Sequence, residues 1–147
     1  MEKEDSNKLN YLFKDLSYQI VGICMEVHRE YGAFHNERIY HKVLKEKLEQ
    51  KGIKFVSKPR IVIYSKDTGK EIGFYEPDLV IENKIVIELK AKHIVLKNNE
   101  IQLSEYLKAS EYELGYLFNF GLKSLYYKRI IFTNNNKPFI SKIKDKK

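Results

Sequence analysis

The sequence predicts an α/β (α+β) fold in which a central mixed β-sheet is flanked by helices, all within a single domain over residues 1–147. Three observations predict it. Apolar residues recur at three- and four-residue steps through two early segments, the mark of amphipathic helices. Runs of β-branched and aromatic residues follow between positions 53 and 90, bounded by turn residues. A third helical stripe and two more apolar runs then close the chain, so helices and strands are interspersed. A length of 147 residues suits one domain, with its ordered core expected over about 12–132.

Leu16, Ile20, Ile23, Val27 and Tyr31 form the inner stripe of the first helix, and Gly32 stops it. A second helix opens near Asn36. Tyr40, Leu44 and Leu48 mark its inner face, Val43 widens it, and Gly52 ends it. Strands are expected over Ile53–Val56 and over Arg60–Tyr64, with Ile61 and Ile63 alternating. Asp67-Thr68-Gly69-Lys70 reads as a turn, and Glu71–Ile81 and Ile85–Lys90 as β-rich. Leu103, Tyr106, Leu107 and Ser110 stripe a helix over 98–111, which Asn98 or Asn99 can cap. Leu114–Phe120 and Leu125–Phe132 are the last strands. The first ten residues and the polar tail from Thr133 are expected to fray.

Composition excludes several classes. With 43% hydrophobic and 32% charged residues the chain is too apolar for a disordered protein. Its apolar runs are far shorter than the ~20 residues of a membrane span. The start, Met1-Glu2-Lys3-Glu4-Asp5, has no apolar leader, which predicts a cytoplasmic protein. The single cysteine, Cys24, excludes a disulfide framework and a multi-cysteine zinc site; on an amphipathic helix it reads as a small buried hydrophobe. His28, His35, His41 and His93 lack metal-ligand spacing, and no phosphate-binding glycine loop is present. The net charge is +7, and only four of the 27 basic residues are arginines. On charge alone a nucleic-acid footprint and a solvated lysine surface are equal readings.

The informative segment is Pro77-Asp78-Leu79-Val80-Ile81-Glu82-Asn83-Lys84-Ile85-Val86-Ile87-Glu88-Leu89-Lys90. Asn tolerates left-handed backbone angles, so a three-residue hairpin loop centred near Asn83 joins two strands. In that register Ile81 faces Ile85 and Asp78 lies opposite Glu88, on one sheet face with Lys90. The surrounding residues are almost wholly apolar, which reads as a buried central hairpin where charges need a reason. Opposed carboxylates repel unless a proton or a cation intervenes. An all-oxygen donor pair favours a hard divalent ion, Mg²⁺ or Mn²⁺. With a lysine beside it, such a site suits phosphodiester hydrolysis. As a bare pattern the same three residues are also compatible with surface charges on a half-exposed hairpin.

Two helices offer further candidates. Glu37 falls on the register of Tyr40, Leu44 and Leu48, near a helix N-terminus where an acid is favoured. It reads equally as a helix-start glutamate and as a third carboxylate for metal or water. Gln102 and Tyr106 share a face at i, i+4, as phosphate-binding groups or as boundary and core residues.

Taken together these residues resemble the GxxExxY proteins, small members of the PD-(D/E)XK nuclease superfamily. The matching blocks are Glu26-Val27-His28 with Tyr31-Gly32, Glu37-Arg38-Ile39-Tyr40, Tyr75-Glu76-Pro77-Asp78, Ile87-Glu88-Leu89-Lys90-Ala91, Gln102-Leu103 with Tyr106-Leu107, and Gly115-Tyr116-Leu117 with Asn119-Phe120-Gly121. They run in order from about Leu16 to Phe132. Phe34 stands where that family has a glycine three residues before Glu37, with Gly32 nearby to supply the turn. The resemblance implies a restriction-endonuclease-like αβββαβ core and a Mg²⁺- or Mn²⁺-dependent nuclease acting on nucleic acid, DNA in preference to RNA. It implies Asp78, Glu88 and Glu37 as metal ligands, Lys90 as the catalytic lysine, and Gln102 and Tyr106 as the polar helix positions. A homodimer or a protein partner is a further expectation, since a domain this small has little room for specificity elements. The alternative from another class is a catalytically silent nucleic-acid-binding or regulatory module that keeps the nuclease fold.

Overall fold

The computed structural model of the chain describes residues 12–144. The frayed start expected for the first ten residues lies outside them. The elements in order are α1 (Lys14–Tyr31), α2 (Glu37–Gln50), β1 (Phe55–Ser57), β2 (Ile61–Tyr64), β3 (Glu71–Tyr75), β4 (Leu79–Ile81), β5 (Ile85–Lys90), α3 (Lys97–Lys108), β6 (Leu114–Asn119), β7 (Tyr126–Ile131), a 3₁₀ turn (Asn134–Asn136) and α4 (Ile140–Lys144). The strands form a five-stranded mixed sheet of order β1-β4-β5-β6-β7 and a separate antiparallel pair, β2-β3. By contacts the chain divides into two compact units. One holds the described residues of 1–54 with 89–95 and 118–127; the other holds 55–88, 96–117 and the described residues of 128–147. No helix of the described residues is long and apolar enough to cross a membrane.

In the first unit, α1 buries Ser17, Ile20, Ile23, Cys24 and Val27. It stops at Gly32, whose φ of 72° lies in the left-handed region and whose N–H donates to the His28 carbonyl at 2.8 Å. Tyr31, expected on the inner stripe, is exposed, because the helix ends with it. The side chain of Asn36 caps α2, accepting from the Ile39 N–H at 3.1 Å. Tyr40, Val43, Leu44 and Leu48 are buried as the periodicity requires. The Lys47 ammonium sits 3.1 Å from the Glu26 carboxylate on α1 and 3.0 Å from that of Glu30, tying the two helices.

In the second unit the β4–β5 hairpin has the expected register: Ile81 pairs with Ile85, Val80 with Val86 and Leu79 with Ile87. Its loop turns through left-handed Glu82 (φ 53°) and Asn83 (φ 54°), closed by the Lys84 N–H donating to the Ile81 carbonyl at 3.0 Å. Two positive φ values in succession match the strand twist of a tight hairpin. Tyr112 Oη donates to Asn83 Oδ1 at 2.8 Å and holds the loop. Val80 and Val86 on one face of the hairpin pack with Ile61, Leu103, Leu107 and Leu117, so α3 covers that face. Leu79, Ile81, Ile85 and Ile87 on the other face are also fully buried. The hairpin is therefore a buried central one.

The structure corrects four local expectations. The β-rich stretch Glu71–Ile81 is two strands in different sheets, broken at Glu76-Pro77-Asp78 because proline lacks a ladder donor. The third helix starts at Lys97 and ends at Lys108. Asn98 and Asn99 lie within its first turn, and Leu96 occupies the cap position without a side-chain bond. The described part of the tail is not frayed: from Thr133 to Lys144 it forms the 3₁₀ turn and α4. Phe139 is fully buried and stacked on Tyr64 at 5.4 Å. Lys137 is buried as well, its ammonium donating to the carbonyls of Ser110 (2.8 Å) and Tyr112 (2.7 Å). Burial pushes its pKa down to about 8, against the opposing pull of Glu113 and Glu111. A polar-looking segment is thus anchored by one apolar ring and by a lysine that satisfies two carbonyls.

Candidate active site

The β4–β5 pairing positions the two acids. Asp78 lies at a bend one residue before β4, and Glu88 follows Ile87, the partner of Leu79, so the two acids flank the last pair of the ladder. The Asp78 carbonyl accepts the Lys58 N–H at 2.9 Å, extending the β1–β4 ladder, so its backbone is held although it falls outside the strand. By the pleat, Glu88 belongs to the face of Val86. Asp78 and Glu88 are both half-buried, while their neighbours Leu79, Ile87 and Leu89 are at most 1% exposed.

Tyr75, at the end of β3, bridges this pair to α3. Its hydroxyl donates to Glu88 Oε1 at 2.5 Å, and its ring stacks on that of Tyr106 with centroids 3.8 Å apart and planes 7° from parallel. The Tyr75 phenol is held far above its usual pKa. Burial is the largest cause, followed by the Glu88 charge and hydrogen bond, then the charge of Asp78, then Tyr106. Both carboxylates therefore act on one hydroxyl. The structure brings Asp78, Glu88 and Tyr106 together around Tyr75. Gln102 is one turn earlier on α3, exposed. Tyr75 was not singled out from the sequence, although it opens the block Tyr75-Glu76-Pro77-Asp78. The chain break at Pro77 hides which way a residue three positions before Asp78 will face.

The first unit holds Lys90 and Glu37. Lys90 ends β5, two residues beyond Glu88 and on the same pleat, and is half-buried. Its carbonyl accepts the Phe120 N–H at 2.8 Å. The Phe120 ring stacks on Tyr40 at 4.6 Å, and Tyr40 lies one turn past Glu37 on α2. Tyr40 in turn donates to the Gly32 carbonyl at 2.5 Å and accepts the His35 N–H at 3.3 Å, which fixes the loop leading into α2. Glu37 itself is exposed, not part of the buried stripe that ordinary helical spacing assigned to it. It is the first residue of the helix, beyond the level at which Tyr40 is covered, and an unpaired carboxylate is favoured in water.

The donor chemistry of the hairpin fits a hard divalent ion. Its two carboxylates offer oxygen-only donors, which select Mg²⁺-like ions that keep most of their water. Among the described residues no group of three or more His, Cys, Asp and Glu side chains is placed to hold a metal, so what the hairpin offers is two protein carboxylates. Cys24 is fully buried, which pushes its thiol pKa upward and leaves it unreactive.

The family model described as the PD-(D/E)XK nuclease superfamily matches residues 14–130. No curated protein matches the chain. A solved structure titled "Crystal structure of SSO0001" is similar at 20% identity with a TM-score of 0.49, covering 74% of this chain and 55% of its own. This chain thus spans little more than half the length of that one.

Proposed function

This chain belongs to the PD-(D/E)XK nuclease superfamily, and from that premise we propose that it is a metal-dependent nuclease hydrolysing phosphodiester bonds of DNA in the cytoplasm. The single observation that supports the reading most is the hairpin register, whose Leu79–Ile87 pair is flanked by Asp78 on one side and Glu88 on the other, two residues before Lys90. Asp78 and Glu88 would hold Mg²⁺ or Mn²⁺. A bound ion supplies an activated water and charge neutralisation at the phosphate. Lys90, two residues along the strand, orients the attacking water and stabilises the charge that gathers on the phosphate oxygens. Tyr106 and Gln102 fix the phosphate or the Lys90 side chain, and the family resemblance nominates Glu37 as a further acid. The net charge of +7 supports salt-sensitive holding of the backbone, and a second copy or a protein partner supplies specificity.

Incubation with plasmid, single-stranded DNA and RNA in Mg²⁺ or Mn²⁺ tests this. Cleavage of DNA is expected, stopped by a chelator and lowered at least about a hundredfold by Lys90→Ala. A wild-type protein that cuts none of these substrates with either ion overturns the proposal.

Tyr75 is a positioning residue in this scheme, since it acts through Glu88. Tyr75→Phe keeps the ring stacked on Tyr106 and removes the donor to Glu88. Such outer partners are worth about 10–100-fold in metal affinity. Titration calorimetry with Mn²⁺ is expected to show about tenfold weaker binding. An unchanged affinity with a lowered melting temperature would mean that Tyr75 only packs.

A further inference from the structure

The first unit carries a second concave feature that the hairpin does not use. A cavity of about 630 Å³ is lined by His28, Arg29, Phe34, His93, Gly121 and Lys123, among others, and none of its lining residues is acidic. Its floor is pinned. His28 Nε2 is 2.8 Å from the Leu122 carbonyl and His93 Nδ1 is 3.2 Å from that of Gly121, so each ring donates to the turn between them. Asn119, 4% exposed, accepts from the Lys92 N–H (3.0 Å) and the Gly121 N–H (3.0 Å), and donates to the Ile94 carbonyl (3.1 Å). Over this braced corner stands Phe34, whose side chain is left in water at 91% exposure with its ring 6.5 Å from that of His93, tilted by 51°.

We propose that this cavity holds one unpaired nucleotide of the strand being cut, its base against Phe34 and its phosphates on Arg29 and Lys123. The inference rests on the nuclease reading and narrows its substrate to single strands or duplexes with unpaired ends. An aromatic face with cations and no acids at its edge suits a planar ligand carrying negative charge. A base inside a duplex offers no more than its edges, so away from a duplex end it stacks there only when it is out of its pair. Chain length sets the place: His93 is three residues past Lys90, hence at most about 11 Å along the backbone. An occupant of the cavity is then within a nucleotide or two of the lysine that would face the scissile phosphate. Gly32 (φ 72°) makes the turn that carries Phe34 to the cavity's edge.

The test uses the full chain carrying Glu88→Gln, to prevent cutting, and fluorescence anisotropy with a labelled twelve-nucleotide single strand and its blunt duplex. One stacked base is worth roughly 1–3 kcal/mol. Phe34→Ala is therefore expected to weaken single-strand binding about tenfold and blunt-duplex binding less than twofold, with Phe34→Tyr restoring it. Lys123→Ala is expected to lower the salt slope by about one. Single-strand affinity unchanged by Phe34→Ala, or an equal loss for the duplex, overturns the inference. If the wild type nonetheless cleaves DNA, the hairpin reading stands and only the cavity assignment fails. If it neither cleaves nor binds any nucleic acid, both fall.

Discussion

Asp78→Asn and Glu88→Gln are each expected to lower DNA cleavage by at least about a hundredfold while changing the stability of the metal-free protein little. Each keeps the volume of its side chain, and Glu88→Gln keeps an oxygen for the Tyr75 hydroxyl that donates to Glu88 at 2.5 Å. In the wild type, Mn²⁺ is expected to raise the melting temperature above that of either variant, since a ligand at one hundred times its Kd adds about 2.7 kcal/mol to the folded state. Neither variant is expected to gain much from the ion. Thermal melts with and without Mn²⁺, run beside the cleavage assay, read both halves. Variants that melt well below the wild type without metal, yet rise equally with it, would show that these acids brace the hairpin and hold no ion.

What could be read in the sequence was what short-range chemistry specifies. Asn83 between two apolar runs sets a hairpin and its register, with Ile81 against Ile85. Asn36, Gly32 and Gly52 bound the helices where they should. The features that escaped depend on partners distant in the chain. Tyr75 reaches Glu88 only because the chain breaks at Pro77 and β3 leaves the main sheet. Lys137 looked like part of a soluble tail until two carbonyls, of Ser110 and Tyr112, met its ammonium. Leu96 occupies the cap position of α3 without a side-chain bond, and Asn98 and Asn99 fall inside the first turn. Glu37 shares a helical register with buried residues and is nonetheless exposed, because periodicity assigns a face but not the level at which cover begins. The cavity beside Phe34 draws on three segments separated by tens of residues, so no local pattern announces it.

Gly121→Ala is expected to be the most destabilising single-methyl change in the chain. A Cβ there would lie 2.4 Å from the Lys92 carbonyl oxygen, 2.5 Å from its nitrogen and 2.6 Å from its carbonyl carbon. All three are backbone atoms, so no side chain can swing aside. Nor can the backbone retreat easily, because Asn119 ties Lys92, Gly121 and Ile94 to one buried amide. Overpacking that forces such shifts costs about 1–3 kcal/mol, with the loss of any of these buried bonds adding about 1 kcal/mol or more. A total near 3 kcal/mol corresponds to a fall of roughly 6–12 °C in melting temperature for a domain of this size. Gly22 supplies the control. It lies inside α1 with nothing within 4 Å of its would-be Cβ, and alanine in a helix interior is worth about 0.5–1 kcal/mol over glycine. The same substitution is thus expected to carry opposite signs at the two positions, which separates close approach from glycine's entropy. The loss at Gly121 is also expected to reach function, because the strained segment, Lys92 to Ile94, leads directly from Lys90. Cleavage measured well below the melting temperature should fall in Gly121→Ala and not in Gly22→Ala. Equal melting temperatures for the two variants would mean that the corner yields, and that Lys90 and the cavity beyond it are not held by Asn119.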